Sequence, residues 1–447
     1  MTELALLIIT SAGFGRHIPL SAFSSSSSSS TAPAAPSTAN GTPKAPAPTA
    51  TATATASSDL SLPPPGFTLP FVPALLAAVR GMNLQSLMRQ YPLVAHLPLA
   101  EVRRVKTAYA ELREYLRGMV EVTRAEMRAE GFHPHALSHS RSRDHEAGAG
   151  AEVEADSAEP EPELGEQRAP GTGARIGRAG KGAKAKGAGG EEADLFKLLI
   201  RANEEEEGRE KKLSDDELLS TTYVFLLAGH ETTANTLAFA CALLALNPRV
   251  QAALRAEADA VFPHLRAPED ALASYREDMP RLKYAEATFR ETLRLFPAEV
   301  RLTKRAARDT TLRGTVLSTG EKYDVPVPKG TIVWLDVWAV HTMTEWWGAD
   351  ADEFRPERFF DTDDYKWPRD AYMPFSLGAR SCIGARFATL EGMVILSHLV
   401  REYEICLTPE MEALPLEERK RQMLSWSIGV AIQATGAKVL LKKRARV

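Results

Sequence analysis

The sequence predicts a mainly α-helical protein with a small amount of β-sheet, and three patterns support this fold class. Apolar residues recur with helical spacing through residues 97–119, and a second apolar run extends from the capping-box-like segment 214–217 to about Leu246. A third helical pattern begins after Gly384 and continues to about Tyr403. The β-rich segments are short, and they follow the second of these helices.

Composition places few limits on the function, but it excludes some classes. The chain has 447 residues and a net charge of −4, which gives no indication of nucleic-acid binding. Three cysteines are too few for a disulfide framework, so the folded part is expected on the reducing side of a membrane. The opening apolar run, residues 4–9, is far shorter than the roughly 20 residues of a membrane span, and it lacks the basic start of a signal peptide.

Composition divides the chain into five segments. Helical patterns are expected in residues 1–20, as a helix remnant, and in residues 66–131. Residues 21–65 form a Ser/Ala/Thr/Pro linker, and residues 132–192 form an insertion rich in glycine and charge. This insertion has a basic run but no tryptophan, tyrosine or phenylalanine beyond its first residue, so a solvated linker is favoured over a nucleic-acid-binding tract. Residues 193–447 carry almost all of the motifs.

In this last segment, two further helical and β-rich patterns precede an irregular stretch. A helix is predicted from about residue 282 to residue 295, where Pro297 follows. Short strands are predicted at residues 311–317 and 331–334, and an irregular stretch at residues 349–372. A β-rich tail is expected at the end of the chain.

One cysteine lies in a loop with glycines on both sides, at Pro374-Phe-Ser-Leu-Gly-Ala-Arg-Ser-Cys-Ile-Gly-Ala-Arg-Phe-Ala388. Gly378 and Gly384 allow the backbone to curl so that N–H groups point at the thiolate of Cys382. Phe375 can screen the sulfur from water, and Arg380 can reach an anion held on the same surface. The following helix places the thiol near a helix N-terminus, which lowers a thiol pKa. The alternative is a structural cysteine before a core helix.

A polar step interrupts the apolar helix at residues 228–233, with the sequence Ala-Gly-His-Glu-Thr-Thr. Gly229 weakens a helix and Thr232 can donate to its own backbone, so a local distortion is expected. An acid, Glu231, and an alcohol, Thr232, next to each other in an apolar helix suggest proton transfer. The alternative is an exposed polar turn, and His230 is interpreted as a bystander.

A carboxylate and a guanidinium, Glu291 and Arg294, lie one helical turn apart and therefore on one helix face. Taken alone, such a pair is usually a surface salt bridge of little energetic value. A further arginine, Arg358, lies downstream in Phe354-Arg-Pro-Glu-Arg-Phe359.

The pattern Phe-x-x-Gly-x-Arg-x-Cys-x-Gly resembles the haem-binding loop of the cytochrome P-450 family. Ala-Gly-His-Glu-Thr-Thr is similar to the family's oxygen-activation motif, and Glu-x-x-Arg followed by Pro-Glu-Arg-Phe is similar to its ionic triad. The resemblance is strong from about Leu195 to the C-terminus and weak over residues 66–130 and 1–20. The motif spellings look most like those of fungal microsomal members. The chain is expected to begin after the membrane anchor, the first sheet strands and an early Trp-x-x-x-Arg helix, and so to be truncated.

The resemblance implies a role for each motif. Cys382 would be the proximal thiolate ligand of the iron in haem b, iron protoporphyrin IX. Arg380 and Arg301 would contact the haem propionates, and Glu231 and Thr232 would deliver protons during activation of dioxygen. The triad of Glu291, Arg294 and Arg358 would lock the core beneath the haem.

The resemblance also implies the reaction and the partners. The expected activity is that of a haem-thiolate monooxygenase, which inserts one oxygen atom of dioxygen into a small lipophilic substrate. Because the chain shows no flavin or nicotinamide motif, electrons would come from an NADPH-dependent flavoprotein reductase at the endoplasmic reticulum membrane. One alternative is a truncated, inactive homologue that binds haem poorly. Another is haem-dependent isomerase or dehydratase chemistry, against which the intact Glu231-Thr232 pair argues.

Overall fold

The structure is a computed structural model, and it describes most of the regions in which the sequence predicts regular elements. The predicted linker at 21–65 lies almost entirely outside the described residues, and the predicted insertion at 132–192 lies entirely outside them. Of the helix expected in 1–20, only Ala5, Ile8 and Ile9 are described, and each is helical. The described residues are 5, 8–9, 62–130, 194–206, 212–263, 274–316 and 318–444.

Helices make up most of the described fold, as the sequence predicts. The longest two span Ala100–Ala129 and Asp215–Leu246, and shorter 3-10 turns occur between helices, for example at Pro356–Phe359. The α-helices are α1 Phe71–Arg80, α2 Met82–Gln90, α3 Ala100–Ala129, α4 Leu195–Glu205, α5 Asp215–Leu246, α6 Pro248–Val261, α7 Lys283–Leu295, α8 Val337–Thr342, α9 Thr344–Trp347, α10 Ala385–Glu402, α11 Pro409–Glu412 and α12 Leu416–Met423.

The strands form small antiparallel two-stranded sheets in the C-terminal half. Arg301–Arg305 (β1) pairs with Ile332–Asp336 (β4), and Thr310–Thr315 (β2) pairs with Lys322–Val327 (β3). Tyr403–Cys406 (β5) pairs with Leu440–Lys443 (β8), and Trp426–Ile428 (β6) pairs with Ile432–Ala434 (β7). The fold class predicted from the sequence, mainly α with minor β, is therefore confirmed.

Local sequence explains where the central helix α5 begins and ends. The Ser214 hydroxyl accepts from the backbone N–H of Glu217, whose carboxylate accepts from the Ser214 N–H at 2.9 Å. This reciprocal capping box satisfies two N–H groups that the helix leaves open. At the other end, Pro248 cannot continue the hydrogen-bond ladder, so α5 stops at Leu246 and α6 begins with the proline at its first position.

Helix α5 contributes to two hydrophobic clusters, and this positions the polar step of the helix. Its first part, from Leu218 to Leu226, packs with α1, α3 and α4. Its second part, from Leu237 onward, packs with α6, α7 and α10, where Phe239 and Phe296 stack at 4.3 Å between ring centroids. The polar residues of α5 therefore lie where one cluster ends and the other begins.

Among the described residues, no single helix has both the length and the apolar character needed to cross a membrane. Helices α5 and α6 meet these criteria only as a pair, and they are bent by 112° relative to each other. Both helices contribute buried residues to the core.

Candidate active site

The cysteine loop is held by backbone geometry that requires a glycine. Gly378 has φ +82°, in the left-handed region that residues with a Cβ rarely adopt. The Ser381 N–H donates to the Gly378 carbonyl at 3.0 Å, and the Cys382 N–H donates to the Phe375 carbonyl at 2.8 Å. The loop therefore folds back on itself and presents the cysteine at the surface.

Helix α10 starts directly after this loop. The Ala388 N–H donates to the Gly384 carbonyl at 2.9 Å, which begins the helical ladder. A Cβ added at Gly384 would lie 3.9 Å from the Cys382 sulfur, so the backbone passes close to the thiol. Cys382 thus lies three residues before the first residue of α10.

The other two cysteines occupy different environments. Cys241 is buried within α5, and burial raises the pKa of its thiol to about 12. Cys406 lies in β5, and its pKa is also raised, chiefly by desolvation and then by Glu404. Cys382 is exposed, so it is the thiol of the three that an external metal centre can reach most directly.

The predicted triad forms a buried ionic cluster. Arg294 Nε lies 2.7 Å from one carboxylate oxygen of Glu291, and Arg358 Nε lies 2.9 Å from the other. All three side chains are 0% exposed. The backbone N–H of Arg355 also donates to Glu291, at 3.0 Å.

Most of the remaining guanidinium donors of the cluster bind backbone carbonyls, and Arg358 Nη1 also lies 3.4 Å from the Asp350 carboxylate. Arg294 donates to the carbonyls of His341 at 2.7 Å and Ala351 at 2.6 Å. Arg358 donates to the carbonyls of Trp347 at 3.0 Å and Asp350 at 2.7 Å. The cluster therefore ties α7 to α8, α9 and the irregular stretch before the cysteine loop.

The polar step of α5 contains a buried carboxylate with one oxygen engaged. Glu231 is 7% exposed, and its Oε1 accepts from Gln433 Nε2 at 2.6 Å. Its Oε2 has no hydrogen-bond partner among the described residues. The Thr232 hydroxyl donates to the Ala228 carbonyl at 2.8 Å, as the sequence suggests. The local distortion expected at Gly229 is wrong, since α5 is continuous α-helix from Asp215 to Leu246 and packs into the core on both sides of this point.

A cavity of about 470 Å³ lies against this step. Its walls come from α1 and α2, from the polar step of α5, and from the hairpin β6–β7. Burial lowers the pKa of His230, whose Nδ1 lies 2.6 Å from the Leu226 carbonyl. The lining residues are Leu76, Val79, Arg80, Met82, Asn83, His230, Glu231, Asn235, Gly429, Val430, Gln433, Ala434 and Thr435.

Comparison with known proteins identifies the family. The sequence model of the family described as cytochrome P-450 matches residues 181–432, which is more than half of the chain. The chain belongs to the cytochrome P-450 family.

Individual members of the family are similar over the same part of the chain. Cytochrome P-450 monooxygenase 124 of Postia placenta is 37% identical over 258 residues, covering 57% of this chain and 47% of the relative. Cytochrome P-450 3A6 of Oryctolagus cuniculus is 34% identical over 232 residues, covering 52% and 43%. A putative cytochrome P-450 of Caenorhabditis elegans is 34% identical over 209 residues, covering 46% and 37%. The chain spans less than half the length of each of these relatives.

Membership of the cytochrome P-450 family implies haem, and the residues at the cysteine loop fit that group. A soft thiolate is a suitable iron ligand. Large apolar side chains flank Cys382 and are unusually exposed, with Ile383 at 86%, Leu377 at 57% and Phe387 at 40%. An exposed apolar surface of this kind indicates a binding site. Arg380 is also exposed, and it has no ion-pair partner among the described residues.

Not every predicted site residue lies at this loop. Arg301, on β1, is 3.4 Å from Asp336 and lies over the Trp334 ring, so its cation is shared with a neighbouring acid. Cys382 does not line the cavity at the polar step of α5. The structure thus brings the triad together and builds the loop, and it gives Glu231 a separate cavity.

Two residues that support the site were not singled out from the sequence. His341 is buried, its Nε2 accepts from the Met373 N–H at 2.9 Å, and its Nδ1 lies 3.2 Å from the Arg294 carbonyl. Burial lowers its pKa to about 4, so it remains neutral and links the triad to the segment before the cysteine loop. Gln433 contacts Glu231 across 202 positions of sequence, and no local pattern indicates this contact.

A buried acid on α10 gives a pH-dependent prediction for this cytochrome P-450. Burial raises the pKa of Glu391 from 4.5 to about 7, although the Thr233 hydroxyl opposes the shift. The folded state therefore binds the proton more tightly than the unfolded state, and stability falls as the pH rises from about 4.5 to about 7. The loss is about 3 kcal/mol and is complete above that range.

Glu391→Gln should remove this contribution. The free energy of unfolding of the variant, minus that of the unchanged protein, should increase as the pH rises. Both are measured by denaturant titration between pH 4.5 and 8. Glu404→Gln, at an exposed position on β5, is the control and should follow the unchanged protein. Parallel curves for the Glu391 variant and the unchanged protein would contradict the prediction.

Proposed function

We propose that the protein is a haem-thiolate monooxygenase that uses haem b. The observation that carries the proposal is the exposed thiol of Cys382, held in a glycine-shaped loop before α10 and flanked by exposed apolar side chains. When bound, the haem supplies the iron centre at which dioxygen is reduced. A thiolate ligand donates electron density and thereby favours cleavage of the O–O bond.

Family membership and the cavity support a proposal for the substrate and the partners. The proposed substrate is a small lipophilic molecule, for which Leu76, Val79 and Met82 of α1 and α2 offer apolar contacts in a cavity that polar side chains also line. One oxygen atom enters the substrate and the other leaves as water. Electrons come from an NADPH-dependent flavoprotein reductase, and the protein acts at the endoplasmic reticulum membrane. The similarity to cytochrome P-450 monooxygenase 124 of Postia placenta, 37% identical, supports a monooxygenase, and we propose the fungal microsomal type.

Two cationic side chains, Arg380 in the cysteine loop and Arg301 on β1, bind the propionates in this proposal. Arg380 is exposed in the loop, two residues before Cys382. Arg301 already pairs loosely with Asp336 at 3.4 Å, so it can reorient toward a stronger anion at small cost. Phe375 is only partly buried and supplies the carbonyl that accepts from Cys382.

The polar step of α5 supplies protons in this proposal. Glu231 lines the cavity, and its Oε2 has no partner among the described residues, so this oxygen is available to hold a proton. The Thr232 hydroxyl donates to its own helix and can rotate to another acceptor, since such back-bonding is weak. Glu231 lines the cavity and Thr232 does not, so in this proposal the acid meets the cavity and the alcohol acts from the next position of α5.

Thr232→Ala should separate electron use from product formation. Without the hydroxyl, electrons are still consumed, but oxygen is released as peroxide, because a proton arrives at the wrong place or too slowly. Product formation should fall by about 10²–10⁴-fold. Thr221→Ala is the control, because its hydroxyl makes the same helix bond, to the Glu217 carbonyl at 2.8 Å, near the start of α5.

The amount of product formed per electron consumed is the measurement for Thr232→Ala, and the same assay tests the proposed function. With a reductase, NADPH and isotopically labelled dioxygen, the unchanged protein should place the label in one product of a panel of lipophilic compounds. An oxygenated product that carries only unlabelled oxygen from water, or no oxygenated product with any compound, would contradict the proposal. Unchanged coupling of electrons to product in Thr232→Ala would contradict the role of Thr232 alone.

A further inference from the structure

Two hydrogen bonds tie the hairpin β6–β7 to α5, one at the polar step and one just after it. Gln433 Nε2 donates to Glu231 Oε1 at 2.6 Å, and the Ala434 N–H donates to Asn235 Oδ1 at 3.1 Å. Glu231 and Asn235 are four residues apart, so they lie on one face of α5. Their partners are adjacent residues of β7. The hairpin is therefore held in one register against the helix.

The amide of Gln433 is the side-chain donor that the structure gives to the Glu231 carboxylate. Glu231 is buried, with only 7% of its surface exposed, and it forms no ion pair with any described residue. A buried carboxylate needs donors to offset its desolvation, and hydrogen bonds to charged groups are the stronger kind. One oxygen of the carboxylate is thus fixed by Gln433, while Oε2 has no hydrogen-bond partner among the described residues.

The turn of the hairpin leaves room for this amide. A Cβ added at Gly429 would lie 2.4 Å from Gln433 Nε2 and 2.7 Å from Gln433 Cδ. Real Cβ atoms do not approach so closely, so any larger residue at position 429 would displace the amide. The Gly429 N–H donates to the Ala431 carbonyl at 2.9 Å and closes the turn. The amide of Gln433 therefore occupies the space that a side chain at position 429 would take.

We propose that Gln433 is the positioning residue for Glu231, holding Oε1 so that Oε2 is the atom at which the proton is taken up and released. This inference rests on the proposed function, in which Glu231 relays protons. The hairpin, which also lines the cavity, thereby sets the place of the carboxylate relative to the substrate. A purely structural tie between hairpin and helix is the alternative.

The contact is tested first without haem. The unfolding equilibrium is measured for the unchanged chain, for Gln433→Leu, for Glu231→Leu and for the double variant. A direct hydrogen bond predicts effects that differ from additivity by about tenfold in the equilibrium constant. Additive effects would overturn the contact, and with it the proposal, whatever the activity.

The role is tested by product formation with the same reductase assay. In Gln433→Leu, product per electron should fall about tenfold or more, while electron consumption and KM change by less than about twofold. Gly429→Ala keeps both partners but displaces the amide, so it should show the same split. Gln422→Leu is the control, because the Gln422 amide also donates to a glutamate, Glu418, but away from the cavity.

The other results of these two tests separate the contact, the role of Gln433 and the proposed function. Normal product per electron in Gln433→Leu would overturn the positioning role, as would an equal loss in Gln422→Leu. No product from the unchanged protein would overturn the proposed function, and the role of Gln433 with it, while the unfolding cycle still reports on the contact. The exchanged pair, Glu231→Gln with Gln433→Glu, should restore stability but not coupling, because the carboxylate then lies on the hairpin. Restored coupling would overturn the assignment of the proton to Glu231 Oε2.

Discussion

Glu291→Ala is expected to give a protein that does not fold stably. The substitution leaves two guanidinium groups, of Arg294 and Arg358, buried with no carboxylate between them. Removing one partner of a buried ion pair costs about 3–5 kcal/mol, and a whole domain is stable by only about 5–15 kcal/mol. The measurements are the soluble fraction after expression and the midpoint of denaturant unfolding.

Glu286→Ala is the matched control, on the same helix. Glu286 pairs with Arg290 at 2.6 Å, but both side chains are about one third exposed, at 27% and 32%. Exposed pairs of this kind contribute about 0–1 kcal/mol, so this variant should remain folded. A soluble Glu291→Ala protein whose unfolding midpoint matches that of Glu286→Ala would contradict a structural role for the triad.

Cys382→Ala is expected to abolish thiolate ligation completely. Neither remaining cysteine is a ready substitute, since burial raises the pKa of Cys241 to about 12 and desolvation raises that of Cys406. A thiol must be deprotonated to bind a metal. The measurement is the absorption spectrum of purified protein after reconstitution with haem, together with the ratio of haem to protein.

Two single variants serve as controls for this result. Cys406→Ala, in β5, and Cys241→Ala, in α5, should keep the thiolate spectrum, although the buried site can lose some stability through a small cavity. A thiolate spectrum that persists in Cys382→Ala, or disappears in Cys406→Ala, would move the ligand away from Cys382.

The helices were more predictable than their ends. The α7 helix was expected over residues 282–295 and occupies Lys283–Leu295, because Pro297 limits it. The apolar face of α3 was read over residues 97–119, within a helical region expected over 66–131, and the helix occupies Ala100–Ala129 because no glycine or proline interrupts residues 120–129. The spacing of the cysteine loop and the capping box of α5 were readable because each depends on neighbouring residues.

Contacts between distant segments were not readable from spacing alone. Glu291 and Arg294 are predictable as a pair from their i, i+3 positions, but Arg358 is 67 residues from Glu291, and only the family pattern connected them. No pattern connected Gln433 with Glu231, because a three-residue strand gives no indication of the helix against which it packs. The same is true of His341, whose partners Arg294 and Met373 come from two separate segments.

The most direct test of haem-thiolate ligation is the carbon monoxide difference spectrum of the reduced, haem-reconstituted protein. If Cys382 binds the iron as a thiolate, the spectrum should show the red-shifted Soret band typical of thiolate ligation, with about one haem per chain. A Soret band typical of imidazole ligation, or a chain that takes up no haem, would contradict the proposed site and the proposed function together.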